Sequence, residues 1–169
     1  MYKRQIILRR LENSDVEDLY AIYSDTKAMK FRGSKPMTDL SDARRFVADQ
    51  HLSEGGITTI RKVAELDGQV LGTVMLRFDR SKVDECEIGY SLGREHWGRG
   101  LGTAVLSRLM EDLGRSTEIS KLTAYCHRDN LASIKILERS GFVRVSLDKD
   151  SGIFFYEKTC FQGSEGIRM

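Results

Sequence analysis

The stretch DECEIGYSLGREHWGRGLGTAVL, residues 84–106, changes character twice. Across Asp84–Leu92 the residues Cys86, Ile88, Tyr90 and Leu92 fall on one side of a period-two alternation. Glu85, Glu87, Gly89 and Ser91 fall on the other. That is the pattern of a strand with two different faces. From Leu101 onward Leu101, Val105, Leu106, Leu109, Met110 and Leu113 recur at helical spacing, predicting a helix to about residue 118. Between the two lie Gly98, Gly100 and Gly102, with Arg99 inside the turn and Arg94 before it. Glycine lets the chain turn tightly and approach a ligand closely, because no Cβ intervenes. A turn that runs into a helix N-terminus presents unpaired N–H groups and the positive end of the helix dipole. Strand, turn and helix in this order predict a seat for a phosphate or pyrophosphate, with Arg99 and Arg94 available for charge-assisted bonds.

The best-known phosphate motifs do not fit. No Gly-Lys-Ser/Thr follows the turn, so it is not a P-loop. The spacing is GxGxG after the fourth predicted strand, not GxGxxG after the first strand of a parallel unit. Taken alone, the pattern leaves open a turn without a ligand and a nucleotide-binding enzyme.

Working outward, QIILRRL (5–11) reads as a first strand. The helix after it has Ser14 and Glu17 spaced as a capping box and an apolar stripe of Val16, Leu19, Tyr20 and Tyr23. An irregular loop over residues 27–37 holds Pro36. A second helix is predicted over Leu40–Glu54, ended by Gly55-Gly56. ITTIRKVAEL and QVLGTVMLRFD are strands joined by Asp67-Gly68, a strong hairpin signal. With the strand at Asp84–Leu92 they form an antiparallel meander. KLTAYCH (121–127) is a strand reached by a βαβ crossover. NLASIKILERSGF holds a short helix stopped by Gly141, and FVRVSL with IFFYEKTCF closes the chain as a hairpin. The order predicts an α/β (α+β) fold: one mixed, mostly antiparallel sheet of about seven strands with helices on both faces.

At 169 residues this is expected to be a single domain over 1–169, with residues 160–169 a frayed tail. The formal net charge of +2 gives no footprint for nucleic acid or an anionic membrane, so neither is expected as a partner. No apolar run suits a signal peptide or a membrane span, and the expected location is cytoplasmic. Cys86, Cys126 and Cys160 are few, odd in number and widely spaced, which suits reduced side chains and no metal site.

Two segments together carry a resemblance. EIGYSLGREHWGRGLGTAVL is similar to the coenzyme A-binding segment of the GNAT acetyltransferase superfamily. DNLASIKILERSGF is similar to that superfamily's second signature, an Asn on a short helix ending in Gly-Phe. Within the superfamily they resemble the RimJ/RimL-like N-acetyltransferases. The resemblance covers Glu85–Phe142 and implies acetyl-CoA as cosubstrate, with no metal. The pyrophosphate would sit on the N–H groups of Gly98, Arg99, Gly100, Leu101, Gly102 and Thr103. The pantetheine arm would run beside Ile88, Gly89, Tyr90, Ser91 and Leu92, as a ligand adding to a strand edge. Gly89 suits that close approach. Trp97 stands where many relatives carry Gln or Arg, a departure the RimJ/RimL-like members tolerate.

Acetyl transfer to an amine needs a deprotonated nucleophile, a donor for the developing oxyanion, and departure of a thiolate. A lysine-like amine has a pKa of about 10 and an α-amine about 8. The resemblance implies a backbone N–H on Ile88–Tyr90 as oxyanion donor. Glu87 is the favoured base, directly or through a water. Glu85 shares its face, and two close carboxylates would raise one pKa. His127 is an alternative base. Many relatives place a tyrosine acid seven residues after the signature Asn, where this chain has Leu137. Ser133 would orient the sulfur instead. Asn130 is either a helix N-cap or a cofactor-side residue. In relatives the first helix, the following loop and the last hairpin form the acceptor mouth, which makes Phe31, Arg32 and Tyr156 candidates to line it. The implied partner is an amine, on a small molecule or a protein N-terminus, and a homodimer is the default assembly. The missing tyrosine also leaves open a non-catalytic CoA-binding module.

Overall fold

The structure is a computed structural model and describes residues 5–115 and 118–160. The expected tail lies almost wholly outside the described residues. In chain order the elements are β1 (Ile7–Arg9), α1 (Val16–Tyr23), α2 (Leu40–Ala48), β2 (His51–Glu54), β3 (Ile57–Leu66), β4 (Gln69–Asp79), β5 (Glu85–Leu92), α3 (Leu101–Gly114), β6 (Lys121–His127), α4 (Leu131–Arg139), β7 (Val143–Asp148) and β8 (Ile153–Thr159). Short 3-10 turns at Asn13–Asp15 and Arg94–His96 precede α1 and the glycine turn.

The strands form one eight-stranded sheet in the order β1-β3-β4-β5-β6-β8-β7, with β2 pairing to β3. Every pairing is antiparallel except β5 with β6, where α3 carries the chain back across the sheet. Helices cover both faces. On one, Leu19, Ile22 and Tyr23 of α1 and Ala43 and Val47 of α2 pack with Val63 and Val70. On the other, Val105, Leu106 and Leu109 of α3 and Ile134 and Leu137 of α4 pack with Cys86, Ile88 and Leu92. The alternation read in Asp84–Leu92 thus decides which face of β5 meets α3. The end of α4 is a Schellman motif: the Phe142 and Gly141 N–H groups donate to the Leu137 and Glu138 carbonyls at 3.0 and 3.1 Å.

Three local expectations are corrected. The second helix stops at Ala48, six residues before the predicted end at Glu54. His51–Glu54 instead pairs with Ile57–Ile60, because Gly55 and Gly56 both take positive φ and close a hairpin. This strand raises the count from about seven to eight. At the first helix, Asp15 and not Ser14 makes the capping contact, accepting the Glu12 N–H at 2.8 Å. Ser14 lies inside the 3-10 turn that leads into α1. α3 ends at Gly114, short of residue 118.

Gly72 of β4 pairs with Leu92 of β5, beside the bulge at Ala64/Glu65 of β3. A Cβ on Gly72 would sit 1.9 Å from the Ser91 carbonyl oxygen and 2.8 Å from the Leu92 Cα. These are backbone atoms, which cannot rotate away. Gly72→Ala is therefore expected to destabilise the protein by about 3 kcal/mol. The urea midpoint measures this, and a shift worth less than about 0.5 kcal/mol would contradict the close approach.

Candidate functional site

β5 and β6 pair only over Glu85↔Lys121, Cys86↔Leu122 and Glu87↔Thr123. Beyond Glu87 the two strands part. β5 continues beside β4 to Leu92, and β6 continues beside β8 to His127. On the β6 side Ile88–Leu92 therefore offers an edge that no strand among the described residues covers, and the split opens toward the glycine turn.

At the far end of β5 the turn is braced to the strand. The Trp97 ring N–H donates to the Leu92 carbonyl at 3.1 Å. Gly98 and Gly100 take φ of +70° and +74°, and among the described residues no heavy atom lies within 4 Å of where a Cβ would stand on either. The left-handed Gly100 is the N-cap of α3. The N–H groups of Leu101, Gly102 and Thr103 therefore have no carbonyl of the helix to bond. Arg99 is exposed and makes no ion pair among the described residues. Gly102 serves packing: a Cβ there would meet Ile136 Cδ1 at 2.6 Å. Gly89 faces only Met75, at 3.5 Å, so the chain itself does not demand glycine there. An open, positively polarised turn next to a bare strand edge fits a pyrophosphate with an extended arm. Arg94 is turned elsewhere. Its Nε donates to Asp25 at 2.8 Å, beside a cleft of about 470 Å³ between α1 and the end of β5.

Glu85 and Glu87 emerge on the face opposite α3, as their alternation predicts, but their surroundings differ. Glu85 is held by Lys121, with Lys82 3.8 Å away. Among the described residues Glu87 has only a long contact to Arg77, 3.8 Å. Burial pushes the Glu87 carboxyl above its ordinary value, against the opposing effect of Arg77. The expectation that Glu85 would raise it is corrected: Lys121 neutralises Glu85, and desolvation does the raising. Glu87 lines a half-open pocket of about 230 Å³ with Thr123, Tyr125 and Phe155 among its walls. The Tyr125 and Phe155 rings stand 5.1 Å apart. Neither ring was expected here from sequence. Tyr125 shares its strand parity with Thr123, opposite Glu87, and that was the available signal.

On the α4 side, the Ser133 hydroxyl lies 2.8 Å from the Tyr90 hydroxyl. Asn130 is the N-cap of α4: its Oδ1 accepts from the Ser133 N–H at 3.2 Å. Leu137 is buried in the core. The His127 Nδ1 accepts from the Asp129 N–H at 3.1 Å, and its ring stacks on Phe31 at 5.3 Å. Phe31 is thereby brought to the Glu87 face. The Arg32 guanidinium lies over the Tyr23 ring, 4.6 Å from its centroid. Tyr156 does not line this face. It is fully buried on the other side of the sheet, its hydroxyl near Arg144 and Glu138, each at 3.3 Å. Its neighbour Phe155 takes the outward place, one residue away in strand parity.

An open glycine turn at a helix N-terminus, a bare strand edge and a half-buried carboxylate where β5 and β6 part fit one class: enzymes that draw an acyl group from a coenzyme A thioester. The chain belongs to the GNAT acetyltransferases, matching the acetyltransferase (GNAT) domain over residues 5–143, and is an acetyl-CoA-dependent acetyltransferase. It is 29% identical over 161 residues to the uncharacterized N-acetyltransferase p20 of Bacillus licheniformis, covering 94% of this chain and 87% of that protein. Its fold is similar to spermidine N-acetyltransferase from Vibrio cholerae in complex with CoA and spermine, with TM-score 0.76 and 18% identity over 92% of this chain and 95% of that one. It is also similar to RimL, a ribosomal L7/L12 alpha-N-protein acetyltransferase in complex with coenzyme A, with TM-score 0.77 and 20% identity over 92% and 94%. Among the described residues no helix is long and apolar enough to cross a membrane.

Proposed function

We propose that this enzyme transfers the acetyl group of acetyl-CoA to a primary amine by direct attack, and that it stands with the RimJ/RimL-like members of the family. The acceptor is a protein N-terminal α-amine or an amine on a small molecule. The observation that carries this reading is the split between β5 and β6, with Glu87 on one face and the Tyr90–Ser133 pair on the other. The N–H groups from Gly98 to Thr103 would hold the pyrophosphate, and the Ile88–Leu92 edge the pantetheine. Glu87 takes the proton of the attacking amine, directly or through a water. Its raised pKa moves it toward that of an α-amine, which suits a general base near neutral pH. The Tyr125 and Phe155 rings, with Phe31 beyond them, would form the acceptor wall. An aromatic wall beside a carboxylate suits a cationic amine before it loses its proton.

The test is incubation with acetyl-CoA and a panel of spermidine, an aminoglycoside and a serine-terminated peptide, following thiol release. At least one amine should raise release well above the hydrolytic background. Tight CoA binding with release unmoved by all three amines would count against a primary-amine acceptor of these classes.

A further inference from the structure

We infer that Tyr90 is a positioning residue for the departing coenzyme A thiolate, acting through the Ser133 hydroxyl. This rests on the reading of Ser133 as the group that meets the sulfur. Tyr90 lies on β5 three residues beyond Glu87, the last residue paired to β6, so it stands where the strands have parted. Its ring packs against the core on the α4 side. Its hydroxyl reaches Ser133 Oγ at 2.8 Å and the Ser133 carbonyl at 3.4 Å. The Ser133 N–H is bound to Asn130, which caps the first turn of α4 and so places the Ser133 backbone beside Tyr90. A serine hydroxyl has one proton to give and two lone pairs to accept with. When Tyr90 donates to Ser133 Oγ, the serine proton is left for its other neighbours, the Cys126 thiol and a sulfur lying in the split. Burial pushes the Tyr90 phenol up, so it stays protonated and available to donate. The position where relatives carry a tyrosine is Leu137, inside the core. A phenol from the neighbouring strand serves the same end of the reaction by a different route.

In the transfer, the amine nitrogen forms a bond to the acetyl carbon and the carbon–sulfur bond breaks, its electron pair staying on sulfur. The amine proton passes to Glu87 and then to solvent. The thiolate leaves with its charge held by the Ser133 O–H, and no full proton transfer from serine is needed, because a simple thiol has a pKa of about 8.5.

The experiment titrates the thiol of CoA bound to the enzyme by thiolate absorbance, with desulfo-CoA as the blank. It needs no acceptor. Tyr90→Phe and Ser133→Ala should each make the bound thiol about tenfold less acidic, the size expected for one hydrogen bond to a charged atom. The double variant should be no worse than either single one. A structural role for Tyr90 would move the unfolding temperature but not this titration. If Ser133→Ala shifts the thiol and Tyr90→Phe does not, the inference about Tyr90 fails while Ser133 stands. If neither shifts it, the reading of Ser133 fails as well. Replacing Tyr90 with 3-fluorotyrosine, a stronger donor of the same shape, covers the case in which phenylalanine unfolds the chain. It should make the bound thiol more acidic, and an unchanged thiol would refute the relay.

Discussion

Gly100→Glu is expected to weaken CoA binding by at least about a hundredfold while the protein stays folded. Gly100 has φ +74°, a conformation that costs an L-residue about 1–2 kcal/mol. Nothing among the described residues lies within 4 Å of its Cβ position, so a Cβ there meets no clash. A carboxylate there would stand before the N-terminus of α3, where the helix dipole favours it by about 0.3–1 kcal/mol. It would thus offset part of the strain by taking the place of the pyrophosphate. Two lost charge-assisted bonds, at about 1.5–3 kcal/mol each, account for the drop in affinity. Gly100→Ala separates strain from charge, since it keeps the first without the second. It should lose about tenfold or less. Calorimetry with CoA reads both variants, and affinity within about threefold of the parent in the glutamate variant would sink the cradle.

Glu87→Gln should lower kcat by about a hundredfold and leave the KM for acetyl-CoA unchanged, the loss typical of a removed general base. The sign of the pH effect follows from the burial. A base works only when ionised, so activity falls as pH drops through the Glu87 pKa. Burial lifts that pKa above the ordinary carboxylate value, and the acid limb of kcat/KM lies correspondingly higher. In the glutamine variant this limb disappears. What remains should rise with pH only as the amine itself deprotonates, at about 8 for an α-amine or about 10 for a lysine-like one. Glu85→Gln makes the contrast: Glu85 is already neutralised by Lys121, so its removal should cost activity far less. An unaltered pH profile in Glu87→Gln would remove Glu87 from the role of base.

Much of the fold was legible in the chain. β3, β4 and β6 run as predicted, and the two faces of β5 divide as the alternation of Asp84–Leu92 requires. These are local signals, carried by residues a few positions apart. Tyr156 shows where such signals stop. Ile153-Phe154-Phe155-Tyr156 is apolar without a break, so its strand parity cannot be read from the run itself. Pairing with β6 sets it, Phe155 opposite Tyr125 and Tyr156 opposite Ala124. One residue of register then exchanges a pocket wall for a core side chain. Arg94 is a similar case. Beside the glycine turn it reads as a phosphate ligand, but Asp25 is distant in sequence and near in space.

By itself the sequence determined the order of every element but β2, the glycine turn that opens a helix, and the face on which Glu85 and Glu87 emerge. Glycine conformation and side-chain period are properties of the local chain. Only the tertiary structure decided where β5 and β6 part, which aromatic rings flank Glu87, and which of the two carboxylates takes Lys121 as its close partner. Lys121 comes from the far side of the crossover to neutralise Glu85, while Glu87 sits in a half-buried pocket with Arg77 at arm's length. Charge and desolvation act through space, so two glutamates with the same local pattern end with different chemistry.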